Sequence, residues 1–339
     1  MKIYVEMPIG KVKDTFITPA VKARLESMGE VVWNETDCHL TPEALEEAVK
    51  DADVCVCGWG VEMFTGEMLK DSKLKVIAYT GGSVAPYIAP EVYDTDTVVL
   101  SGNKMFAESV AEGTLAYMLT ALRRIPDYLA QTQELGWVEE SKGNQGLLDR
   151  SVGLVGFGAI PRYLTPMLQA FRCDITAYDP FVDDSVFEAL GVKRAKTLNE
   201  VFIEKDIVSI HLPMTRATYH TVGAEQFDCM KDGALLVNTA RGGVIDEKTM
   251  AAVLQTGRCR AILDVYETEP LEADSGLRHL ENVYLMPHMG GPTVDRRWRI
   301  TMALLDDVER HMAGKPMTHV ISKAYGLSMT NDNLVNYTK

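Results

Sequence analysis

The sequence predicts an α/β protein of two domains, each a doubly wound parallel sheet, and three observations carry that expectation. Strand-like and helix-like patterns alternate from the first residues to the last helical stretch, which is the signature of parallel strands joined by crossover helices. The chain has 339 residues, more than a single hydrophobic core ordinarily serves. Residues 151–180, SVGLVGFGAIPRYLTPMLQAFRCDITAYDP, read as strand, glycine turn, helix, second strand and a closing acid.

In chain order, strands are expected at Lys2–Glu6, Val54–Cys57, Leu74–Tyr79 and Val98–Leu100, with helices near Pro19–Met28, Pro42–Val49 and Val61–Leu69 between them. The helix at 42 has a clear start, with Thr41 as N-cap and Pro42 in the first helical position. A long helix follows within Ser101–Leu122, its apolar face made by Val110, Leu115, Met118, Leu119 and Leu122, and Gly102-Asn103 before it suits a hinge. Residues 136–150 are polar and glycine-punctuated and read as a surface excursion. Further strands are expected at Ile207–His211, Ala234–Asn238, Ala261–Val265 and Val283–Met286, then a helix over Val294–Met312. The tail from Lys323 to Lys339 shows no strong periodicity and is assigned no structure.

The glycine stretch has a physical reading. Val152, Leu154 and Val155 form a short apolar run that suits a strand buried on both faces. Gly156 permits a sharp turn, and Gly158 lets backbone approach a pyrophosphate. The helix over about Ala159–Ala170 packs through Ile160, Leu164, Met167, Leu168 and Phe171. Its first N–H groups have no internal partner and sit at the positive end of its dipole, so they can hold an anion. Asp179 closes the next strand, where a carboxylate can accept from the ribose hydroxyls of an adenosine. Pro161 departs from the pattern, standing where a third glycine is expected. An ordinary βαβ unit without ligand, or a methyltransferase with another adenosine cofactor, fits this stretch as well.

Composition narrows the partners. There are 34 basic and 48 acidic residues, a formal charge of −14, which argues against nucleic acid or an anionic membrane. No signal or transit pattern opens the sequence. The six cysteines (Cys38, Cys55, Cys57, Cys173, Cys229, Cys259) carry no paired metal or redox spacing, and Cys55 and Cys57, two apart on one face of a strand, read as buried core thiols. A reduced, cytoplasmic protein without a metal site is expected.

Three later strand ends present polar groups at the edge where such sheets bind ligands. Arg241 follows the strand at Leu235–Val237, and its fork suits a carboxylate; a surface arginine is the plainer reading. Asp264, Glu267 and Glu269 follow the next strand. His288 follows the last, in Pro287-His288-Met289-Gly290-Gly291; alone it fits a hydrogen-bonded core histidine. Together, arginine, carboxylate and histidine form an acid–base set, because a histidine titrates near neutrality and an adjacent carboxylate favours its charged form.

With these blocks in order, the sequence resembles the D-isomer-specific 2-hydroxyacid dehydrogenases, the group that includes 3-phosphoglycerate dehydrogenase, glyoxylate/hydroxypyruvate reductase and D-lactate dehydrogenase. The matching blocks are Thr80-Gly81-Gly82-Ser83-Val84, Ala107-Glu108-Ser109-Val110-Ala111-Glu112, Val155-Gly156-Phe157-Gly158, His211-Leu212-Pro213, Asn238-Thr239-Ala240-Arg241-Gly242, Asp264 to Leu271 and Pro287 to Gly291. The resemblance implies two Rossmann-like or flavodoxin-like domains, with an NAD-binding domain (103–292) inserted into a discontinuous catalytic or lid domain (1–102 plus 293–339). It implies NAD as cofactor and a homodimer.

It also implies roles. Arg241 holds the carboxylate of a 2-oxo acid and polarises its carbonyl; His288 is the acid in reduction and base in oxidation, paired with Glu269. Ala159 and Ile160 offer backbone to the pyrophosphate, Asp179 meets the ribose and Asp264 the nicotinamide carboxamide. His211, Leu212, Pro213, Thr239, Ala240, Gly290 and Gly291 line the cofactor cleft, and Ser83 and Val84 belong to the substrate loop. The implied activity is NAD-dependent interconversion of a small 2-oxo acid and its D-2-hydroxy acid. A non-catalytic NAD(H)-sensing protein of corepressor type is the alternative, and phosphite- or formate-type oxidation has no residue that singles it out. Ala85-Pro86, in place of the substrate loop's common glycine and large polar or aromatic residue, leaves the substrate open.

Overall fold

Apolar runs flanked by capped helices become two separate parallel sheets in the computed structural model, which describes residues 1–138, 143–331 and 333. In chain order the first part holds β1 (Lys2–Glu6), α1 (Lys11–Phe16), α2 (Pro19–Met28), β2 (Glu30–Trp33), α3 (Pro42–Lys50), β3 (Val54–Cys57), α4 (Gly66–Leu69), β4 (Val76–Tyr79), β5 (Val98–Ser101) and α5 (Asn103–Arg123). Then come α6 (Ile125–Leu135), β6 (Ser151–Val155), α7 (Ala159–Ala170), β7 (Asp174–Tyr178), α8 (Asp184–Ala189), β8 (Lys193–Arg194), β9 (Ile207–Ile210), α9 (Ala224–Cys229), β10 (Leu235–Asn238), α10 (Glu247–Gln255), β11 (Arg260–Leu263) and β12 (Val283–Leu285). The chain closes with α11 (Arg297–Met312) and α12 (Lys323–Ser328).

By contacts the chain divides into unit 1, Met1–Phe106 with Pro292–Lys339, and unit 2, Ala107–Gly291. The first boundary falls inside α5, a few residues beyond Gly102.

Unit 1 carries a five-stranded parallel sheet in the order β2-β1-β3-β4-β5. One face packs Leu45, Val49, Cys55, Cys57, Phe64, Ile77 and Tyr79. The other packs Ile3, Val5, Val54, Val56 and Leu100 against Ile300, Leu304, Leu305 and Val308 of α11. Thus α11 completes a core face that Phe16, Val21 and Leu25 of the first hundred residues cover only in part. Asp307 anchors it: the buried carboxylate accepts from the Thr318 and His319 N–H groups at 2.9 and 2.6 Å and from His319 Nδ1 at 2.9 Å. Burial would raise this carboxyl, but those donors outweigh it and hold it below its ordinary value.

Several local expectations change here. Residues 61–65 are not helical: the Phe64 N–H donates to Tyr87 O at 2.8 Å, and only Gly66–Leu69 forms a helix, capped by Thr65 Oγ1 accepting from the Met68 N–H. The tail contains α12, capped by Ser322, with Gly326 so close to Tyr93 that a Cβ would lie 2.1 Å from its hydroxyl. The short α1, the strand β2 and helix α6 were not anticipated. Part of the 136–150 excursion, residues 139–142, lies outside the described residues.

Unit 2 is a seven-stranded parallel sheet in the order β12-β11-β10-β9-β6-β7-β8. The order reverses between β6 and β9, and such a switch point opens a crevice at the strands' carboxyl ends. α7 packs Leu164 and Leu168 fully into the core, with Ile160, Met167 and Phe171 partly buried beside them. Among the described residues, no helix is long and apolar enough to cross a membrane.

Candidate active site

The switch point of unit 2 collects the glycine turn and its acid. Gly156 has φ 94°, where side chains are strained, and a Cβ there would stand 3.0 Å from His211 O. So the turn after β6 lies against the end of β9. Nothing lies within 4 Å of a Cβ built on Gly158, the N-cap of α7, so the space over the Ala159 and Ile160 N–H groups is open. Pro161 is the third helical residue and is buried. The helix begins at Ala159, directly after the Gly158 N-cap, with Pro161 in its first turn. Proline lacks an N–H, but a helix's first turn has no internal partner for it.

Asp179 does more than the sequence reading assigned it. Its Oδ2 accepts from the Phe157 N–H and its Oδ1 from the Phe181 N–H, both at 2.9 Å, so it staples the glycine turn to the end of β7. Near it lie Arg194 and Lys196, which line a surface pocket with Tyr178, Asp179 and Asp184. Arg194 donates to Asp179 O at 3.1 Å and to Asp184 Oδ1 at 2.5 Å. No arginine follows Asp179 in sequence; β8 brings one there.

His211 is buried, and neither ring nitrogen has a partner among the described residues. Burial pushes its pKa down to about 3, so the ring is neutral. An open glycine cradle, free helix N–H groups and an orphaned imidazole at one switch point fit a dinucleotide. Thr239 and Ala240 are buried at the end of β10, where Thr239 Oγ1 and Thr114 Oγ1 are 2.9 Å apart. Leu212 and Pro213 are half-buried beside His211.

The acid–base set assembles in the same unit. His288, at φ 51°, places Nδ1 2.7 Å from Glu269 Oε2. Burial would raise the Glu269 carboxyl, but the His288 bond and charge, the Tyr266 N–H and the Arg241 charge together hold it below its ordinary range. Glu269 is therefore a carboxylate at neutral pH, and Arg241 is near enough for its charge to act on it. Asn238 shapes the arginine turn: its amide donates to Arg241 O and its oxygen accepts from the Ala240 N–H, both at 3.0 Å. A Cβ on Gly242 would lie 1.8 Å from the carbonyl carbon of Tyr266, so only glycine lets the two strand ends touch.

Asp264 is more occupied than a simple cofactor ligand. It accepts from Tyr117 OH at 3.0 Å and from the Met289 and Gly290 N–H groups at 2.8 Å. It thus holds the turn after His288, with an acceptor position on Oδ2 remaining for a carboxamide. Gly290 is needed for that approach, since a Cβ would lie 2.8 Å from Asp264 Oδ2; Gly291 is open.

Residues missed in the sequence support the loop of Glu269. Glu267 Oε1 accepts from Tyr219 OH at 2.8 Å and lies 2.9 Å from His220 Nε2, while Glu247 accepts from the Glu267 N–H at 2.9 Å. No local pattern flags such partners, which lie 20 to 48 residues away along the chain.

In unit 1, Ser83 and Val84 follow β4 at the carboxyl edge of that sheet. Ser83 Oγ donates to Thr330 O at 2.5 Å, and Asn331 Nδ2 donates to Ala85 O at 3.2 Å, so the tail is tied to this loop.

Known proteins resemble this chain in sequence and in fold. Residues 115–290 match the model of the D-isomer specific 2-hydroxyacid dehydrogenase, NAD binding domain. The chain is 33% identical over 312 residues to D-3-phosphoglycerate dehydrogenase of Methanocaldococcus jannaschii, covering 92% of this chain but 59% of that protein. It is 31% identical to hydroxypyruvate reductase of Thermotoga maritima, covering 82% of this chain and 90% of the relative. The chain spans about three fifths of the length of the phosphoglycerate dehydrogenase it matches. A solved acyclic imino acid reductase in complex with NADPH and D-Arg superposes with a TM-score of 0.78 at 23% identity, covering 95% of this chain and 100% of that one, a likeness of fold. With a doubly wound sheet, a dinucleotide cradle and a histidine–carboxylate pair beside an arginine, the chain belongs to the D-isomer specific 2-hydroxyacid dehydrogenases.

Proposed function

We propose that the protein is an NAD-dependent oxidoreductase that interconverts a small 2-oxo acid and its D-2-hydroxy acid. The observation that carries this reading is the 2.7 Å contact of His288 Nδ1 with Glu269, with the charge of Arg241 acting on the same carboxylate. Because Nδ1 is engaged, the proton is moved at Nε2. In reduction His288 donates it to the substrate's carbonyl oxygen; in oxidation the neutral ring removes it from the hydroxyl. Arg241 binds the substrate carboxylate through its fork and polarises the carbonyl, and the backbone of Ser83 and Val84 contributes to carboxylate recognition.

The dinucleotide supplies hydride transfer when bound. Gly156 and Gly158 admit its pyrophosphate, the Ala159 and Ile160 N–H groups bind it, and Asp179 orients the ribose. His211, Leu212, Pro213, Thr239, Ala240, Gly290 and Gly291 line its cleft. NADH is the preferred form, because the Asp179 carboxylate repels a 2′-phosphate and Arg194 is already engaged by Asp184. A silent NAD(H) sensor has no need for a paired His288 and Glu269. Screening glyoxylate, hydroxypyruvate, 2-oxoglutarate and branched 2-oxo acids with NADH and NADPH tests the proposal. Saturable turnover favouring NADH is expected; binding of NADH without turnover of any 2-oxo acid favours the sensor.

A further inference from the structure

The loop after β4 is shaped by a residue at the end of the neighbouring strand. Ser101 closes β5, stands beside Tyr79 of β4 in the parallel ladder, and is buried. Its Oγ donates to Gly82 O at 2.6 Å, with Gly81 O also in reach at 3.1 Å. The same oxygen accepts from the Asn103 N–H at 3.1 Å, and the Ser101 N–H donates to His319 O at 3.0 Å. A hydroxyl has one proton to give. Here it goes to the loop, while a lone pair takes the start of α5. All of these residues belong to unit 1.

Those bonds decide which way the loop backbone faces. A peptide unit is planar and trans, so each carbonyl points opposite to the N–H that follows it. With the Gly81 and Gly82 carbonyls turned to Ser101, the Gly82 and Ser83 N–H groups face away from it. No hydrogen bond engages either N–H among the described residues. Successive N–H groups presented together bind anions. Gly81 permits the close path, since a Cβ there would lie 2.4 Å from the Tyr79 side chain. Beyond Gly82 the loop is held by the tail, through Ser83 Oγ on Thr330 O and Asn331 Nδ2 on Ala85 O.

We propose that Ser101 is a positioning residue of the substrate site: by holding the Gly81 and Gly82 carbonyls, it presents the Gly82 and Ser83 N–H groups to the substrate carboxylate. This rests on the 2-hydroxyacid reading above and deepens it, because it names what fixes the loop. Ser101 orients groups that meet the substrate and does not meet it itself. Donors set in place beforehand spare binding the cost of ordering them.

The test compares Ser101→Ala and Ser101→Thr with wild type. In Ser101→Ala, KM for the 2-oxo acid is expected to rise by about tenfold, the scale of one hydrogen bond. A smaller change in kcat and an unchanged Kd for NADH mark lost substrate binding rather than lost chemistry. Ser101→Thr keeps the hydroxyl but adds a methyl group at a buried position. It is expected to lower the denaturation midpoint while holding KM near the wild-type value. A serine that only stabilises the strand gives another pattern, with KM following stability rather than the hydroxyl. That pattern, or an unchanged KM in Ser101→Ala, overturns the proposal. Amide hydrogen exchange of residues 80–88 supplies a readout that needs no turnover. With NADH present, oxalate as a carboxylate probe is expected to slow exchange there in wild type, and much less at the same concentration in Ser101→Ala. If that difference is seen but no 2-oxo acid turns over, the reaction reading fails and the positioning role stands. If oxalate protects neither protein, or both alike, the role falls.

Discussion

Arg241, Glu269 and His288 divide the chemistry at the level of single side chains, and each is open to a substitution that spares its neighbours. Arg241→Lys keeps the charge but loses the planar fork. A fall of at least about 10²-fold in kcat/KM is expected, or about 2.7 kcal/mol of transition-state stabilisation; wild-type kinetics would move the role elsewhere. For Glu269 the sign follows from its depressed pKa: the carboxylate persists through neutral pH, where it stays the charged partner of His288 Nδ1. Reduction needs a protonated His288 and declines as pH rises, whereas oxidation needs the neutral ring and declines as pH falls. Glu269→Gln, which removes the charged acceptor of His288 Nδ1, should lower kcat/KM in both directions. An unchanged kcat/KM profile would break the pairing. Arg241 and His288 were legible because their short motifs follow apolar strands; Tyr117, which holds the turn after His288 through Asp264, carried no such mark.

At the scale of elements, α7 contains two prolines with opposite expectations. Pro161 lies in the first turn, where no internal hydrogen bond is lost. Wild type should bind NADH at micromolar Kd or better, about −8 kcal/mol, and Pro161→Gly should leave that nearly unchanged in a fluorescence titration. Restoration of an absent affinity by Pro161→Gly would show that the proline disables the cradle. Pro166 is inside the helix and exposed, where proline removes a bond and crowds the preceding turn. Pro166→Ala should therefore stabilise the protein, by up to about 3 kcal/mol on intrinsic propensity, read as a higher denaturation midpoint; a lower midpoint would count against that helix geometry. Element boundaries were readable where a cap or a buried strand announced them, as at Thr41 and Ser151. At Val61–Leu69 the apolar spacing suggested a helix, but Phe64 is used in a bridge to Ile88, a pairing that only long-range contact selects.

For the whole molecule, helix α6 carries an exposed apolar face. None of its residues is buried, and Leu129, Leu135 and the following Trp137 are 61%, 67% and 75% exposed. We propose that this apolar face is covered by a second copy, giving a homodimer. Sedimentation equilibrium should show a dimer for wild type and dissociation for Leu129→Glu; a wild-type monomer would refute it.

The linear order of residues by itself determined the alternating strands and helices, the dinucleotide turn and the chemistry of the three strand ends, because each depends on neighbours within about twenty residues. Only the tertiary structure decided how these parts are completed. It returned α11 to cover the sheet of unit 1, brought Arg194 beside Asp179, occupied Asp264 with the turn after His288 and tied Ser83 to Thr330. Each of these joins residues from distant segments, whose meeting is settled by shared burial and by satisfying buried polar groups across the fold rather than by any local preference.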